Sequence, residues 1–386
     1  MPATAGSRQR SASAAADSGG QGARPRLLLL TPDFPPAHGG IQLMAQRFAC
    51  GLQGFSTTVI TPGAQRGRGV ARAGAATVRH VPAPARPAAL RNLALNAAAL
   101  PAALARRPAV TLSLHLVTSP AAAAVRACTG APTLQYFHAR EIGGKPRLAA
   151  FAAARADAVV AVSSYTAGLV AATGAQPRRL ELIPPGVDEP LETSPLPVQR
   201  PTVLTVARLA DSYKGHDVML RALARVRAAG VPDVQWVVVG DGPLRGELEA
   251  LARAEGVADA VRFLGAVDDG VRNEWFRRAQ VFAMPSRVPG AGSGEGFGIV
   301  YLEAGSYGKP VLAGNVAGAL DAVRDGETGL LVDPTDPDAV AAALQRLLLD
   351  HALAQRLGSA GARRAQELSW TRIAARVEAV LRSLIA

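Results

Sequence analysis

The stretch Glu295-Gly-Phe-Gly-Ile-Val-Tyr-Leu-Glu303 places two carboxylates eight positions apart, across a glycine-rich turn and the start of an apolar helix. Ile299, Val300 and Leu302 indicate a buried segment, so Glu303 is expected where an unpaired carboxylate is costly. A polyhydroxylated ligand would supply the missing hydrogen bonds. The alternative is that Glu303 pairs with an arginine of the protein and that Glu295 is a solvated loop residue.

Predicted strands and helices alternate on both sides of this stretch, in two blocks. Such alternation favours parallel sheets with helices on both faces, and therefore an α/β protein with two Rossmann-like domains. The predicted strands lie at residues 26–31, 56–60, 110–117, 133–137, 158–162 and 180–183, and then at 202–206, 235–239, 261–264, 281–285, 310–313 and 329–332.

The chain of 386 residues is long for a single core, which supports two domains. Residues 1–24 are small, polar and basic, without the apolar centre of a signal peptide, and predict a disordered tail. The first domain is predicted at 25–184 and the second at 202–367. The proline-rich residues 185–201 form the predicted linker, and a final helix is expected at about 368–386.

The net charge of +12 lies entirely in the first half of the chain. Residues 1–195 hold 20 basic and 8 acidic residues, an excess of 12, whereas residues 196–386 hold 22 of each. This distribution favours an anionic partner such as an anionic membrane surface, an acidic substrate or nucleic acid. A basic surface that only aids solubility is the alternative.

Composition also limits the chemistry. Cys50 and Cys128 have no metal-site spacing and fit a reducing cytosol, and the six histidines are scattered, so no zinc or iron site is predicted. The uncharged run at residues 108–125 contains His115 and Pro120, and no membrane-spanning helix is expected. Basic, aromatic-rich segments typical of nucleic-acid binding are missing from the sequence, which disfavours that class of function.

Cations and glycines occur where predicted strands end, the edge at which open α/β sheets bind ligands. Gly39-Gly40 lies between the first strand and the next helix, where bare backbone amides can approach a phosphate or a sugar. Arg208 follows another strand and Lys214 precedes the next helix, so both can surround one anion. The alternative for Gly39-Gly40 is a simple turn, and the alternative for Arg208 and Lys214 is ordinary surface charge.

Three further motifs lie at predicted strand ends or helix starts. Gly240-Asp-Gly242 is interpreted as structural, because the next glycine comes one place too late for a dinucleotide fingerprint. Asp336-Pro-Asp338 is interpreted as a helix cap rather than a metal-binding pair, so no metal or other cofactor is expected. His138, at the end of the strand at 133–137, is expected to face the cleft with Glu141 nearby; a purely structural histidine is the alternative.

Taken together, these residues resemble the retaining GT-B glycosyltransferases of family 4 type, the group typified by sucrose synthases and bacterial lipid mannosyltransferases. The resemblance covers about residues 26–384 and is strongest over 285–333, which includes the E-x7-E pattern of Glu295 and Glu303. The segments at residues 31–41 and 138–141 are most similar to actinobacterial phosphatidylinositol mannosyltransferases, which use GDP-mannose. Those proteins often show His-Gly-His-Glu where this chain has His-Ala-Arg-Glu.

The resemblance implies a role for each matching residue, in a cleft between an acceptor-binding first domain and a nucleotide-sugar-binding second domain. Arg208 and Lys214 would bind the donor diphosphate, Glu295 the donor sugar and Glu303 the ribose. The amides of Phe297, Gly298 and Ile299 would lie beside the sugar and the phosphate. Gly39 and Gly40 would face the diphosphate, and His138 the transferred sugar. The last helix would cross back onto the first domain.

The expected activity is transfer of a hexose, with mannose from GDP-mannose as the best match, to a membrane-associated lipid such as a phosphatidylinositol mannoside. The alternative acceptor is soluble or polyprenyl-linked, in polysaccharide or glycoconjugate synthesis. The enzyme is expected in the cytoplasm or at the inner face of the plasma membrane. Residues 87–107, apolar and flanked by arginines, would lie on anionic lipid; an ordinary packed helix is the alternative.

Overall fold

The computed structural model describes residues 24–36, 39–63, 70–84, 87–288, 290 and 294–386. The predicted tail at residues 1–24 lies, apart from Arg24, outside the described residues.

The first half of the described chain folds around an eight-stranded sheet in the order β3-β4-β2-β1-β5-β6-β7-β8, in which only β3 is antiparallel to its neighbour. Its strands are β1 (Arg26–Leu30), β2 (Ser56–Gly63), β3 (Val70–Ala73), β4 (Ala76–Pro82), β5 (Val110–Ser113), β6 (Thr133–Phe137), β7 (Ala158–Ala161) and β8 (Leu180–Leu182). Its helices are α1 (Gly40–Gly51), α2 (Ala88–Arg106), α3 (Ser119–Thr129), α4 (Ala139–Gly144), α5 (Pro146–Arg155) and α6 (Ser164–Ala172).

The second half folds around a six-stranded parallel sheet in the order β11-β10-β9-β12-β13-β14. Its strands are β9 (Thr202–Val206), β10 (Gln235–Val239), β11 (Val261–Gly265), β12 (Val281–Met284), β13 (Val311–Gly314) and β14 (Gly329–Val332). The helices are α7 (His216–Ala228), α8 (Arg245–Ala254), α9 (Asp269–Arg278), α10 (Ile299–Ser306), α11 (Ala319–Ala322), α12 (Pro337–Leu349), α13 (His351–Glu367) and α14 (Trp370–Ser383).

The predicted pair of Rossmann-like sheets is confirmed. Both sheets are buried on two faces by helices, which is why strands such as β1 are continuous apolar runs, with Leu27 to Leu30 at most 1% exposed. The strands β3 and β4 and the helices α9 and α13 were not among the predicted elements.

One predicted strand is too long. The strand expected at residues 110–117 ends at Ser113, and a short 3-10 turn spans Leu116–Thr118. The Thr118 hydroxyl donates to the carbonyl of His115 at 2.7 Å, and the Ser113 and Thr118 hydroxyls lie 2.7 Å apart. These local bonds replace strand pairing, so His115 lies in a loop at the carboxyl edge of the sheet.

The helix α14 packs on the first domain, although it is the last element of the chain. Trp370 at its start meets Phe48 of α1 edge to face, with ring centroids 5.9 Å apart. One turn of the chain beyond α1, the amide of Gly54 donates to the Glu378 carboxylate at 3.0 Å. The core of the first domain is therefore completed by the C-terminus.

The helix α2 is unusual because much of its exposed face is apolar. Leu90, Leu93 and Leu104 are 51%, 65% and 54% exposed. By length and composition alone, it is the one helix of the described residues that would suffice to cross a membrane, and 17% of its most apolar stretch is buried.

Candidate active site

The centre of the candidate site is an ion pair between Lys214 and Glu295, which come from the loops before α7 and α10. Both side chains are largely buried, with 13% and 15% exposed. Burial alone would lower the pKa of Lys214, but the adjacent Glu295 carboxylate outweighs it and raises that pKa. The ammonium also lies 5.0 Å from the centre of the Tyr213 ring. Glu295 is thus no solvated loop residue, and Lys214 is held charged.

Two contacts, a close approach of Gly215 and a hydrogen bond of Tyr301, hold these loops at the end of β12. Gly215, after Lys214, has a φ of 79°, and a Cβ there would lie 2.2 Å from the carbonyl oxygen of Pro285. The Tyr301 hydroxyl on α10 donates to the carbonyl of Met284 at 2.8 Å. Both functional loops are therefore anchored to the same strand end, which fixes their separation.

The first turn of α10 faces the first domain. Gly298 caps the helix with a φ of 93°, and a Cβ there would lie 2.4 Å from the Tyr301 ring. A Cβ on Gly40 would lie 3.3 Å from Cδ1 of Ile299. Phe297 is buried, which leaves the backbone of this turn as its polar feature. Helix N-termini carry free amides and partial positive charge, so this turn suits an anion.

The pair Gly39-Gly40 lies at the start of α1, beside the first turn of α10. Gly39 precedes α1 and has a φ of 153°, and a Cβ there would lie 2.4 Å from Oε1 of Gln42. Since Gly40 reaches α10, Gly39-Gly40 lies at the edge of the cleft as predicted for a ligand-facing turn. Its contact with a phosphate stays a prediction.

Arg208 is near Lys214 in the chain but is separated from it by a carboxylate. Its guanidinium is 71% exposed and lies 3.3 Å from Asp211. The other Asp211 oxygen lies 3.3 Å from Arg140 of the first domain. Asp211 thus holds two guanidiniums from opposite sides of the cleft. Within the part of the chain that the structure describes, most donors of Arg208 have no partner, which leaves them available to an anion.

The turn at Gly240-Asp-Gly242 positions the Arg208 loop. A Cβ on Gly240 would lie 2.0 Å from the carbonyl oxygen of Ala207, and one on Gly242 would lie 2.4 Å from the carbonyl of Leu209. The amide of Leu209 donates to the carbonyl of Asp241 at 3.0 Å. Only glycines permit this approach, so the structural interpretation of this motif is confirmed.

Glu303 is half-buried on α10 and makes no ion pair with any described residue. Burial raises the pKa of its carboxyl, the Arg272 charge counteracts this, and the Asp188 and Asp269 charges add to the rise. The alternative, in which Glu303 pairs with an arginine, is therefore not found among the described residues. An unpaired carboxylate of this kind suits the hydroxyl groups of a ligand.

His138 directly follows β6 and caps α4 at the cleft. Its Nε2 lies 3.1 Å from the carbonyl oxygen of Leu114, which only accepts, so Nε2 carries the proton and Nδ1 is an acceptor. Burial lowers the pKa of His138, which keeps the ring neutral, although Glu141 counteracts this effect. The next residue, Ala139, lies against Gly296, with 3.7 Å between its Cβ and a Cβ built on the glycine. His138 therefore lies close to the Glu295 loop.

Sequence reasoning missed His115 and Asp33, which join His138 and Glu141 in one cluster. Nδ1 of His115 lies 2.7 Å from Glu141, and its Nε2 lies 3.8 Å from Asp33. The other Glu141 oxygen is buried without a hydrogen-bond partner among the described residues. The predicted strand at residues 110–117 enclosed His115, so no signal in the sequence indicated that this histidine lies at the cleft.

A second polar contact joins the domains. The amide and the hydroxyl of Ser164, which begins α6, donate to the carboxylate of Asp321 on α11, at 3.2 and 2.8 Å. Together with the Arg140–Asp211 pair, this contact holds the two domains against one another across the cleft.

The Asp336 prediction is confirmed: the residue caps α12, with its carboxylate accepting from the amide of Asp338 at 2.8 Å and Pro337 in the first turn. Among the described residues, no group of three or more histidine, cysteine or acidic side chains is arranged to hold a metal ion. Independence from metal stays a prediction.

Comparison with known proteins gives two family matches. The family described as "Glycosyl transferases group 1" matches residues 188–364, and "Glycosyltransferase Family 4" matches residues 38–190. A Mycobacterium tuberculosis protein named GDP-mannose-dependent alpha-(1-6)-phosphatidylinositol monomannoside mannosyltransferase is 36% identical over 367 residues, which are 87% of this chain and 92% of the relative. Its namesake from Mycolicibacterium smegmatis is 35% identical over 363 residues, with the same coverage.

A relative that matches a smaller part of this chain is named for a different activity. A D-inositol 3-phosphate glycosyltransferase from Thermomonospora curvata is 35% identical over 242 residues, which are 56% of this chain and 54% of the relative. Among solved structures, sucrose-phosphate synthase from Thermosynechococcus elongatus superimposes with a TM-score of 0.80 at 23% identity, covering 94% of this chain and 99% of the other. That likeness supports the fold.

Proposed function

The chain belongs to the family-4-type GT-B glycosyltransferases, and we propose that it transfers mannose from GDP-mannose, with retention, to a phosphatidylinositol-type lipid. The observation that carries the proposal is the 36% identity, over 87% of the chain, to monomannoside mannosyltransferases. The geometry of the cleft supports the chemistry.

Cleavage of the sugar–phosphate bond places negative charge on the leaving diphosphate. Lys214 and Arg208 lie at the end of β9, and the first turn of α10 lies beside Glu295 on the same side of the cleft. In our proposal these groups stabilise the leaving diphosphate, because cations and helix dipoles prearranged in a buried site act strongly on developing charge. Lys214 then exchanges part of its contact with Glu295 for a contact with phosphate.

The carboxylates and His138 bind the neutral parts of the donor. Glu295 accepts from sugar hydroxyls beside the bond that breaks, and Glu303 accepts from the ribose hydroxyls. His138, neutral and with Nδ1 free to accept, lies on the sugar side. The acceptor hydroxyl attacks from the face that the diphosphate leaves, and a phosphate oxygen takes its proton. Gly39 and Gly40 leave room for the diphosphate.

The acceptor occupies the first domain in this proposal, with the protein cytoplasmic and peripheral to the inner membrane face. The exposed leucines of α2 and the excess of basic residues in this half suit an anionic lipid surface. The buried oxygen of Glu141, which has no partner among the described residues, suits a hydroxyl of the acceptor or the sugar.

The donor and the acceptor are tested together. Purified protein is incubated with radiolabelled GDP-mannose, UDP-glucose or ADP-glucose, and with vesicles containing phosphatidylinositol or its monomannoside. We expect label in the lipid fraction with GDP-mannose, increased by the monomannoside. Transfer from UDP-glucose or ADP-glucose instead, or labelling of soluble products only, would contradict the proposal.

The proposal includes metal-independent transfer, since the cations of the site are Lys214 and Arg208. Activity is therefore expected to persist in excess chelator. Loss of activity that Mg²⁺ or Mn²⁺ restores would show that a metal takes part.

A second candidate is transfer to a soluble inositol phosphate. The D-inositol 3-phosphate glycosyltransferases favour it, although they match only about half of this chain. It predicts labelling of a water-soluble product when inositol 3-phosphate replaces the vesicles in the same assay.

A further inference from the structure

Three arginines converge at the edge of the first sheet that lies opposite the cleft. Arg26 is the first residue of β1, Arg79 lies within β4, and Arg106 is the last residue of α2. They line a cavity of about 410 Å³, whose wall also includes Ser56 and Thr58 near the start of β2. The candidate active site lies at the carboxyl ends of the strands, so this cavity is separate from it.

No acidic side chain lines this cavity, and none of the three arginines forms an ion pair within the described residues. Arg106 is half-buried, whereas Arg26 and Arg79 are exposed. Other half-buried arginines meet a carboxylate, as Arg126 meets Asp157. Burial lowers the pKa of Arg106, and the charges of Arg79 and Arg26 lower it further. Three positive charges thus lie close together, without a neutralising carboxylate among the described residues.

The hydrogen bonds of the cluster leave many donors unused. Nη1 of Arg26 donates to the carbonyl of Arg106 at 2.8 Å, and Nη1 of Arg106 donates to the Thr58 hydroxyl at 2.7 Å. These bonds fix two guanidiniums against the wall. Nε of Arg106 is buried without a partner. Since each guanidinium has five N–H donors, most remain for a ligand.

We propose that Arg26, Arg79 and Arg106 form a second, noncatalytic binding site for a phosphate group. Arginine pairs bidentately with phosphate oxygens, and Ser56 and Thr58 add hydroxyl groups to the wall. The volume is in the range of small-ligand sites, so the phosphate can carry a sugar or glycerol substituent. The source of this group is a soluble phosphate compound or the headgroup of an anionic lipid.

The test uses Arg79→Gln, because Arg79 is exposed and its side chain makes no hydrogen bond to another described residue. The matched control is Arg107→Gln, which removes the same charge from an exposed position next to the cluster that does not line the cavity. Binding of inorganic phosphate and of pyrophosphate is measured by calorimetry at constant ionic strength. Arg79→Gln is expected to weaken binding about ten- to hundredfold, and Arg107→Gln less than threefold.

Phosphate bound in the cleft is distinguished with Lys214→Ala, which should keep the affinity of the arginine site. Vesicles of phosphatidylcholine with and without phosphatidylglycerol form the second arm. Loss of phosphate affinity in Arg79→Gln alone supports a soluble source, and selective loss of binding to anionic vesicles supports a lipid source. Equal effects of Arg79→Gln and Arg107→Gln in both arms, or phosphate binding that disappears with Lys214→Ala, would overturn the proposal.

Discussion

Replacing Lys214 by alanine separates two effects of this side chain, one on stability and one on turnover. Its ammonium is the partner of Glu295, and both groups are at most 15% exposed. Removing the ammonium leaves a buried carboxylate without a cation. Losing one partner of a buried pair costs about 3–5 kcal/mol, and the residual exposure here places the expected cost near 3 kcal/mol.

Turnover should fall further than stability explains. A prearranged group that stabilises developing charge contributes about a hundred- to thousandfold in kcat. The assay is initial rate at saturating donor, at a temperature at which all variants are folded, together with denaturant unfolding. Lys145→Ala, at an exposed position of the first domain, is the control and should leave both quantities unchanged.

The double variant Lys214→Ala/Glu295→Ala decides between the two effects. It removes the uncompensated carboxylate, so most of the lost stability is expected to return. Turnover should stay low, because the double variant lacks both the cation that faces the leaving diphosphate and the carboxylate that binds the donor sugar in our proposal. If turnover returns with stability, or if Lys214→Ala alone is nearly as active as the wild type, the catalytic reasoning is wrong.

Glu303→Gln should weaken GDP binding about tenfold by calorimetry. It should also stabilise the free protein above pH 4.5, because burial raises the pKa of Glu303 and ionisation of its carboxyl therefore favours unfolding. Unchanged affinity for GDP would remove Glu303 from the ribose site. Burial lowers the pKa of His216 to about 4, so wild-type stability should fall between pH 6.5 and 4, as only the unfolded chain takes up the proton. His216→Phe should lessen that loss by up to about 3 kcal/mol, and parallel denaturation profiles would contradict this. Asp321→Ala removes the contact with Ser164 and should increase the radius of gyration in X-ray scattering by favouring open domains; an unchanged radius would show that this contact does not hold them.

The helix α10 shows what local sequence predicts well. The apolar run after Gly298 predicted a buried helix, and the two glutamates were correctly placed around its first turns. The partner of Glu295 was not predictable, because Lys214 lies 81 residues away and meets it only through the packing of both loops on β12. The alternative interpretation paired Glu303 with an arginine, but Glu303 has no ion-pair partner among the described residues.

His115 shows the opposite case. Apolar residues on both sides of it favoured one long strand, and the predicted strand hid the histidine inside the sheet. The turn depends on hydroxyl groups of Ser113 and Thr118, whose bonds form only once the strand has ended. Strand β3 was missed because it is only four residues long and half alanine, which is depleted in strands, and β4 was missed because it forms by pairing with β2.

The position of α14 affects how the protein is synthesised. The face of α1 around Phe48 is synthesised before the second domain, whereas Trp370 and Glu378, which cover this region, are synthesised after it. The second domain, complete before α14 appears, is free to fold first. Until α14 has been made, the first domain holds an uncovered apolar surface, so its core can be completed only after the second domain has been synthesised.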